Sequence, residues 1–381
     1  MLPLEISSYS SAKLLPGQVQ GLIKNCFNDV NWLRVFEEFS GIDMEPCHHL
    51  MTRNGIPIGF LPGFIQHDSM CGTLGERLFG RLYKLPFFHG LGTNKAFVCV
   101  SPWGYYSGIE CGSNPAPEIT AAFIAHIDRI VKDRKLMLSG FTYVPEFSHA
   151  LRSQLEANGY RAFPNIPTSF IELKWNSFNE YVCQVPRKQM HRNIRTERKK
   201  AKELSYEWFD GDSLDTRFSG QPLHKILLEL HDQNWLKHND RQTPLKKSFL
   251  AELWKMDKSN LRLCLTRLEK KIVAFCLLRF LGDTAHALMM GQDYDCGRKI
   301  PIYFNAVYYE PIIRGISEGW KKIFFRPGVY KAKLRRGFQL ENLYLYVKGH
   351  CKMTRKLLDI YISMAWKHFH DKWVPPKLLN Y

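Results

Sequence analysis

Between Leu261 and Phe338 the spacing of apolar positions changes from strand-like to helical and back again. LRLCLTRL and IVAFCLLRF are apolar runs joined at Glu269-Lys270-Lys271, the pattern of a strand, a tight turn and a second strand. TAHALMMGQD reads as a third strand, and YDCGRKIP as a loop. In IYFNAVYYEPIIRGISEGW, Ile302, Ala306, Tyr309, Ile313 and Ile316 recur at helical spacing, with Pro301 where a first-turn proline is tolerated and Gly319 where a helix ends. KKIFFRPG then has the composition of a short buried strand, and VYKAKLRRGF closes the stretch.

The first half follows a similar plan. Gln18 to Asn28 and Val30 to Gly41 read as amphipathic segments. CHHLMTRNGIPIGFLPGFIQ is a hairpin turning at Asn54-Gly55, the strongest short-range hairpin signal in the chain. Gly72 to Lys84 reads as a helix or compact loop, and the apolar stretch from Pro86 to Gly108 as strand material broken by glycines. Pro115 to Arg134 is an amphipathic helix with Glu118 in its first turn and Lys132 in its last, and LMLSGFTYV is the strand after it. Hairpin, third strand, helix and strand thus occur twice, offset by roughly 200 residues, as a duplicated fold requires. The length of 381 residues suits two domains, and the pattern divides them into 1–175 and 176–381. The expected class is α+β, with a mixed sheet and helices against it.

Charge changes the picture most. Lys and Arg number 53 against 36 Asp and Glu, a net +17, and the excess is concentrated. Pro186 to Lys202 carries eight basic residues and Glu197 as its one acid, and Lys321 to Arg336 carries seven with no acid. Such density suits a polyanion, either donor phosphates or an RNA backbone. The ten cysteines are scattered without a C-x-x-C pair, which argues against structural zinc or a redox dithiol, and no metal is expected. No apolar run reaches the ~20 residues of a membrane helix, and MLPLEISSYSSAKLLPG has no basic region followed by an apolar stretch. A cytoplasmic location is the expectation.

The segment FNEYVCQVPRKQMHRNIRTERKKAKELSYEWFDG, then the hairpin with IVAF, then GQDYDCGRKIPIYFNAVYYEPIIRGISEGW and FRPGVYKAKLRRGF resembles the FemAB-like N-acyltransferases of the GNAT superfamily. The resemblance spans about Asn176 to Gly349, and the first half matches in element order. It implies tandem GNAT-like domains with the main site in the second. It also implies transfer of an acyl or aminoacyl group from acyl-CoA or aminoacyl-tRNA, as co-substrate rather than tightly bound cofactor, to the amine of a small molecule or peptide. A tRNA partner follows for the second donor. The pyrophosphate loop usual in GNAT proteins is replaced here by Tyr294 to Pro301, with one glycine and two added cations. The competing class is a non-catalytic RNA- or anion-binding protein on the same fold.

The chemistry asks for a polarised carbonyl, a held oxyanion and a base for the attacking amine. Asp293, directly after the third strand, is the first candidate base and Glu310 the second; Tyr309 and Tyr303 are candidate acids for the leaving group. Lys331, Lys333, Arg336 and Gly337 of the closing element, with Arg298 and Lys299 of the loop, are candidate donor contacts. Arg187, Arg192 and Arg195, at or near one helical face, are second choices for the same role.

Overall fold

The computed structural model describes residues 4–42, 44–66, 95–112, 116–211, 213, 223–239, 242–296 and 300–360. The chain forms two compact units, one made of residues up to Pro167 together with those from Glu341 onward, the other of Thr168–Leu340.

Unit one begins with β1 (Leu4–Tyr9), which pairs with β3 (His48–Arg53); β3 in turn pairs with β4 (Ile56–Leu61) across the expected turn, where Asn54 and Gly55 both have positive φ. Helix α1 (Val30–Phe39) is capped by Asp29, whose carboxylate accepts from the Asn31 and Trp32 amides, and it buries Trp32, Leu33 and Phe36. The main sheet of this unit comprises β2 (Met44–Pro46), β5 (Gly63–Gln66), β6 (Ala96–Cys99), β7 (Leu138–Pro145) and β14 (Gln339–Gly349), in that order, with the first part of β8 (Arg161–Glu172) beside β14. β5 and β6 are antiparallel and β6 and β7 parallel. The parallel step needs a crossover, supplied by α2 (Pro117–Asp133), which begins two residues after the expected start at Pro115 and has Pro117 in its first turn. α3 (His149–Ala157) follows β7.

Unit two repeats the plan. After α4 (Phe178–Gln184), α5 (Lys188–Lys200), β9 (Leu204–Asp210), α6 (Leu223–Asn239) and α7 (Phe249–Asp257) comes the predicted meander β10 (Leu261–Leu268), β11 (Lys271–Leu281), β12 (Thr284–Gln292). A helix then begins at Ile302, takes π form over Phe304–Tyr309 and continues as α8 (Glu310–Glu318), ending at left-handed Gly319. β13 (Lys322–Phe325) returns parallel to β12 and antiparallel to the second half of β8, and α9 (Tyr330–Arg335) follows. Antiparallel pair, crossover helix and parallel strand therefore occur in both units, as the repeat in the sequence implies.

Two expectations shift. The division at 175/176 is replaced by the units above, because β14 ladders along β7, from Leu343 opposite Pro145 to Gly349 opposite Leu138, and takes the residues after Leu340 into unit one. The basic stretch, expected as a helix from Pro186 to Leu204, is helical over Lys188–Lys200 only, since LSYEWFD alternates and pairs with β10 as an edge strand. The Gly72 to Lys84 segment lies outside the described residues.

Candidate active site

β12 is paired with β11 along its whole length, but with β13 only where Thr284, Ala285 and His286 face Lys322, Ile323 and Phe324. A bulge in the β11/β12 ladder, where Leu277 faces Met289 and Leu278 faces Ala287, bends β12 beyond this point. From Ala287 to Gln292 the side of β12 away from β11 has no strand partner among the described residues. β13 ends at Phe325, whose carbonyl accepts instead from Thr168 Oγ1 (3.2 Å) and Ser169 Oγ (3.1 Å). The two strands part.

Aromatic side chains line one face of the parting. Tyr303 Oη lies 3.6 Å from Met290 Sδ and 3.4 Å from Tyr308 Oη, while the Tyr308 ring meets Phe325 edge-on at 5.2 Å. The π-form turns widen the helix here, a feature common at functional sites, and Tyr308 and Tyr309 both point into the buried interior. On the other face, α6 crosses β12. His231 Nδ1 donates to Met290 O (3.1 Å), and a Cβ on Gly291 would come within 2.5 Å of the Leu230 carbonyl carbon, so only glycine allows this approach.

A buried polar network joins the basic helix to the π-form segment. Arg336 donates through Nη2 to Glu197 Oε1 (2.8 Å) and through Nε to Tyr309 Oη (2.7 Å), Tyr309 Oη donates to Glu197, and the guanidinium lies 3.8 Å from the Phe304 ring centroid. Burial works against the charge on Arg336, but Tyr309 and Glu197 outweigh it and hold the pKa above its ordinary value. Beside this, Arg198 Nη1 donates to Glu310 Oε1 (2.7 Å) and Asn305 Oδ1 (3.1 Å), and Asn305 Nδ2 donates to the Pro301 carbonyl (2.8 Å). Lys333, only 3% exposed, donates from Nζ to the carbonyl of Arg326, the residue after β13. Desolvation lowers its pKa to about 7. A lysine so placed can gain and lose a proton near neutrality.

A cleft of about 470 Å³ opens between α5 and residues 329–336; Met190 and Asn193 line one side, Lys331, Arg335 and Arg336 the other, and Phe304 also lines it. The two basic stretches of the sequence meet here.

The predicted site residues separate accordingly. Arg336 and Lys331 line the cleft, and Gly337, at φ 82°, makes the turn that leads into β14. Tyr303 stands at the parting strands and Tyr309 in the Arg336 network; burial raises the pKa of both. Lys333 is not among the cleft-lining residues but buried behind them, which suits proton transfer better than phosphate contact. Asp293 is poorly suited to be a base: Oδ1 accepts from the Asp295 amide (2.8 Å), Oδ2 from Lys271 Nζ (2.6 Å), and the Lys271 bond, the chief cause, lowers the pKa to about 2. It caps the following loop. Glu310 is a buried partner of Arg198; desolvation raises its pKa although Arg198 opposes the shift. Arg187 precedes α5, and Arg192 and Arg195 are exposed on it without lining the cleft. Arg298 and Lys299 lie outside the described residues. Sequence reasoning missed Glu197, Arg198 and Asn305 as site residues; Glu197 alone left a signal, as the one acid in a basic run.

Residues 17–372 match the FemAB-like family, described as concerned with peptidoglycan biosynthesis and recognition. The chain belongs to the FemAB-like family. No curated protein sequence matches it. Among solved structures, this FemAB-like chain is similar to FemX (TM-score 0.58, 12% identity, covering 93% of this chain and 99% of that one). It is also similar to the C-terminal domain of a putative lysylphosphatidylglycerol synthetase from Agrobacterium fabrum (TM-score 0.55, 11% identity, 91% and 94% covered). A third likeness is to a tandem GNAT protein from the clavulanic acid biosynthesis pathway (TM-score 0.51, 11% identity, 91% and 98% covered). The FemAB-like chain therefore has the tandem GNAT fold, and the repeated crossover described above is its two GNAT-like halves.

Unit one has the same crossover but, among the described residues, no equivalent opening. There Ser107, fully buried, fills the place beyond the last β6/β7 pair, Cys99 with Phe141. Its Oγ donates to Cys99 O (2.7 Å) and accepts from the Thr142 (3.0 Å) and Tyr143 (3.1 Å) amides, and its own amide donates to Tyr143 O (2.8 Å). The backbone groups that an acyl carbonyl would need are occupied by a side chain.

Proposed function

We propose that this chain is an N-acyltransferase that moves an acyl or aminoacyl group from a phosphate-bearing donor, acyl-CoA or aminoacyl-tRNA, to the amine of a small molecule or peptide, using unit two. The observation that carries the reading is the early end of the β12/β13 pairing beside the buried Lys333. A carbonyl seated between the parted strands meets backbone polar groups that no neighbouring strand satisfies, and such preorganised groups stabilise a developing oxyanion.

In this reading the neutral Lys333 Nζ takes a proton from the attacking ammonium. The freed amine nitrogen bonds to the donor carbonyl carbon, the carbonyl electron pair becomes an oxyanion, and the nitrogen passes its surplus proton to solvent water. As the intermediate collapses, the bond to the leaving oxygen or sulfur breaks, and that atom takes the proton from Lys333. Donor phosphates are assigned to the cleft cations Lys331 and Arg335, with Arg336 held rigid by Glu197. The family's concern with peptidoglycan favours a peptide amine as acceptor.

The test incubates the purified protein with acyl-CoAs or charged tRNA pools and amine-bearing peptides, and follows acceptor mass. Lys333→Met serves as control. Donor consumption without any acceptor mass shift, or transfer that survives in Lys333→Met, overturns the reading; binding of RNA with no transfer from any donor favours the non-catalytic class.

A further inference from the structure

At the outer edge of the unit-two sheet, where β9 ends, a second cavity of about 540 Å³ opens. Trp208 and Asp210 of β9, Arg262 of β10, Arg314 and Glu318 of α8, and Trp320 line it, and none of them lines the basic cleft. Trp208 and Asp210 are two residues apart and share one face of β9, and Arg262 stands directly opposite Asp210 in the β9/β10 ladder. Opposite charges so placed ordinarily pair, yet among the described residues neither is in an ion pair. Arg262 turns Nη1 to the carbonyls of Ser259 (3.3 Å) and Leu261 (2.9 Å), and Asp210 Oδ1 accepts from the Ser213 amide (3.1 Å). Hydrogen bonds from Ser213 hold the Asp210 carboxyl below the usual carboxylate range, so it is charged at neutral pH.

The other two charges of the cavity satisfy each other. Arg314 is bonded to Glu318, whose Oε2 also accepts from Trp320 Nε1 (3.0 Å). With that N–H satisfied, Trp320 offers the cavity an apolar ring, which meets Trp208 at 6.1 Å and Phe280 at 4.7 Å, both edge-on. What remains is one anion and one cation beside an aromatic wall. Among the described residues Arg262 keeps Nε and Nη2 for a further acceptor, and Asp210 keeps Oδ2 for a donor. A ligand that is only an anion is repelled by Asp210, and one that is only a cation is repelled by Arg262. A free α-amino acid carries both charges on one carbon and satisfies both residues, and its side chain is left to the indoles. A residue within a peptide has neither charge. An aromatic side chain gains most from contact with other rings.

We propose that this cavity binds a free α-amino acid with an aromatic side chain, its carboxylate on Arg262, its ammonium on Asp210 and its ring against Trp208 and Trp320. The inference does not depend on the transfer reaction.

Isothermal titration calorimetry of the full chain with L-phenylalanine tests it, and a single equivalent is expected to bind. Phenylpropionate lacks the ammonium, phenethylamine lacks the carboxylate and L-alanine lacks the ring; each is expected to bind about tenfold or more weakly. Asp210→Asn and Arg262→Gln keep the aromatic wall, and each weakens L-phenylalanine by a similar factor. Asp210→Asn also removes the preference over phenylpropionate, and Arg262→Gln the preference over phenethylamine. The ligand series on the parent chain needs no variant to fold. If L-phenylalanine does not bind at millimolar concentration, or phenylpropionate binds as tightly, the proposal fails. It also fails if both variants bind L-phenylalanine as the parent does, since the amino acid then sits elsewhere.

Discussion

In the proposed reaction, Lys333 is the residue on which most of the chemistry turns. In water a lysine titrates near ~10.4, and here burial brings the value to about 7. Between those two pH values the unfolded chain holds the proton that the folded chain has released, so stability rises with pH across that window and is flat below it. Lys333→Met removes this slope and raises the unfolding temperature at pH 7, because it replaces a desolvated ammonium with an apolar chain of similar length. Urea unfolding at a series of pH values checks both. The same variant loses transfer activity by ~10²-fold or more, while Lys333→Arg, always charged, is equally inactive; the parent rate should climb through about pH 7 as the neutral amine forms.

Glu197 acts at the same scale through other groups. Glu197→Gln keeps a hydrogen bond to Tyr309 or Arg336 but leaves a buried guanidinium without its counter-charge. The expected cost is ~3 kcal/mol of stability and a higher KM for the donor with a smaller change in kcat, since Arg336 lines the cleft. Denaturation and steady-state kinetics separate the two. Equal losses in kcat and kcat/KM would place Glu197 in the chemical step instead.

At the scale of elements, one crossover serves two ends. In unit two the helix after β12 widens into π form and the strands it joins part; in unit one Ser107 closes the corresponding place. The proposed function then predicts one transfer site per chain, and titration with a non-hydrolysable acyl donor should saturate at one equivalent. Gly291→Ala belongs here too. The added methyl would press on the backbone of α6 at Leu230, an overpacking cost of ~1–3 kcal/mol, and move α6 against the open half of β12. Loss of hydrogen-exchange protection in α6 without global unfolding would register that shift.

At the scale of the whole chain, β14 gives unit one a strand that lies almost two hundred residues after β7 in sequence. Tyr346, fully buried on it, accepts from Arg152 Nε (3.0 Å) and donates to Glu156 Oε1 (2.7 Å). Tyr346→Ala should cost ~3–5 kcal/mol and strip exchange protection from β7, leaving β10 to β12 protected. If β10 to β12 lose protection in parallel with β7, the two units do not unfold separately.

Much of this was written in local pattern. The meander from Leu261, the Asn54-Gly55 hairpin, the helix expected from Pro115 and the Gly319 stop are all set by neighbours in sequence: strand period, turn dipeptide, proline near the start, left-handed glycine. The duplication could be read from the same signals. Other features depend on residues far apart. LSYEWFD is too short and polar to declare itself a strand until β10 lies beside it. Asp293 stands in sequence where a base is wanted, and only the fold brings Lys271 and two loop amides onto its oxygens. Glu197 meets Arg336 across 139 positions, and Lys333 is an ordinary cation until burial takes its water away. Sequence fixes what the backbone does within a few residues, because those forces are short in range; which charges end up dry, paired or exposed is decided by packing, which no single stretch of chain contains.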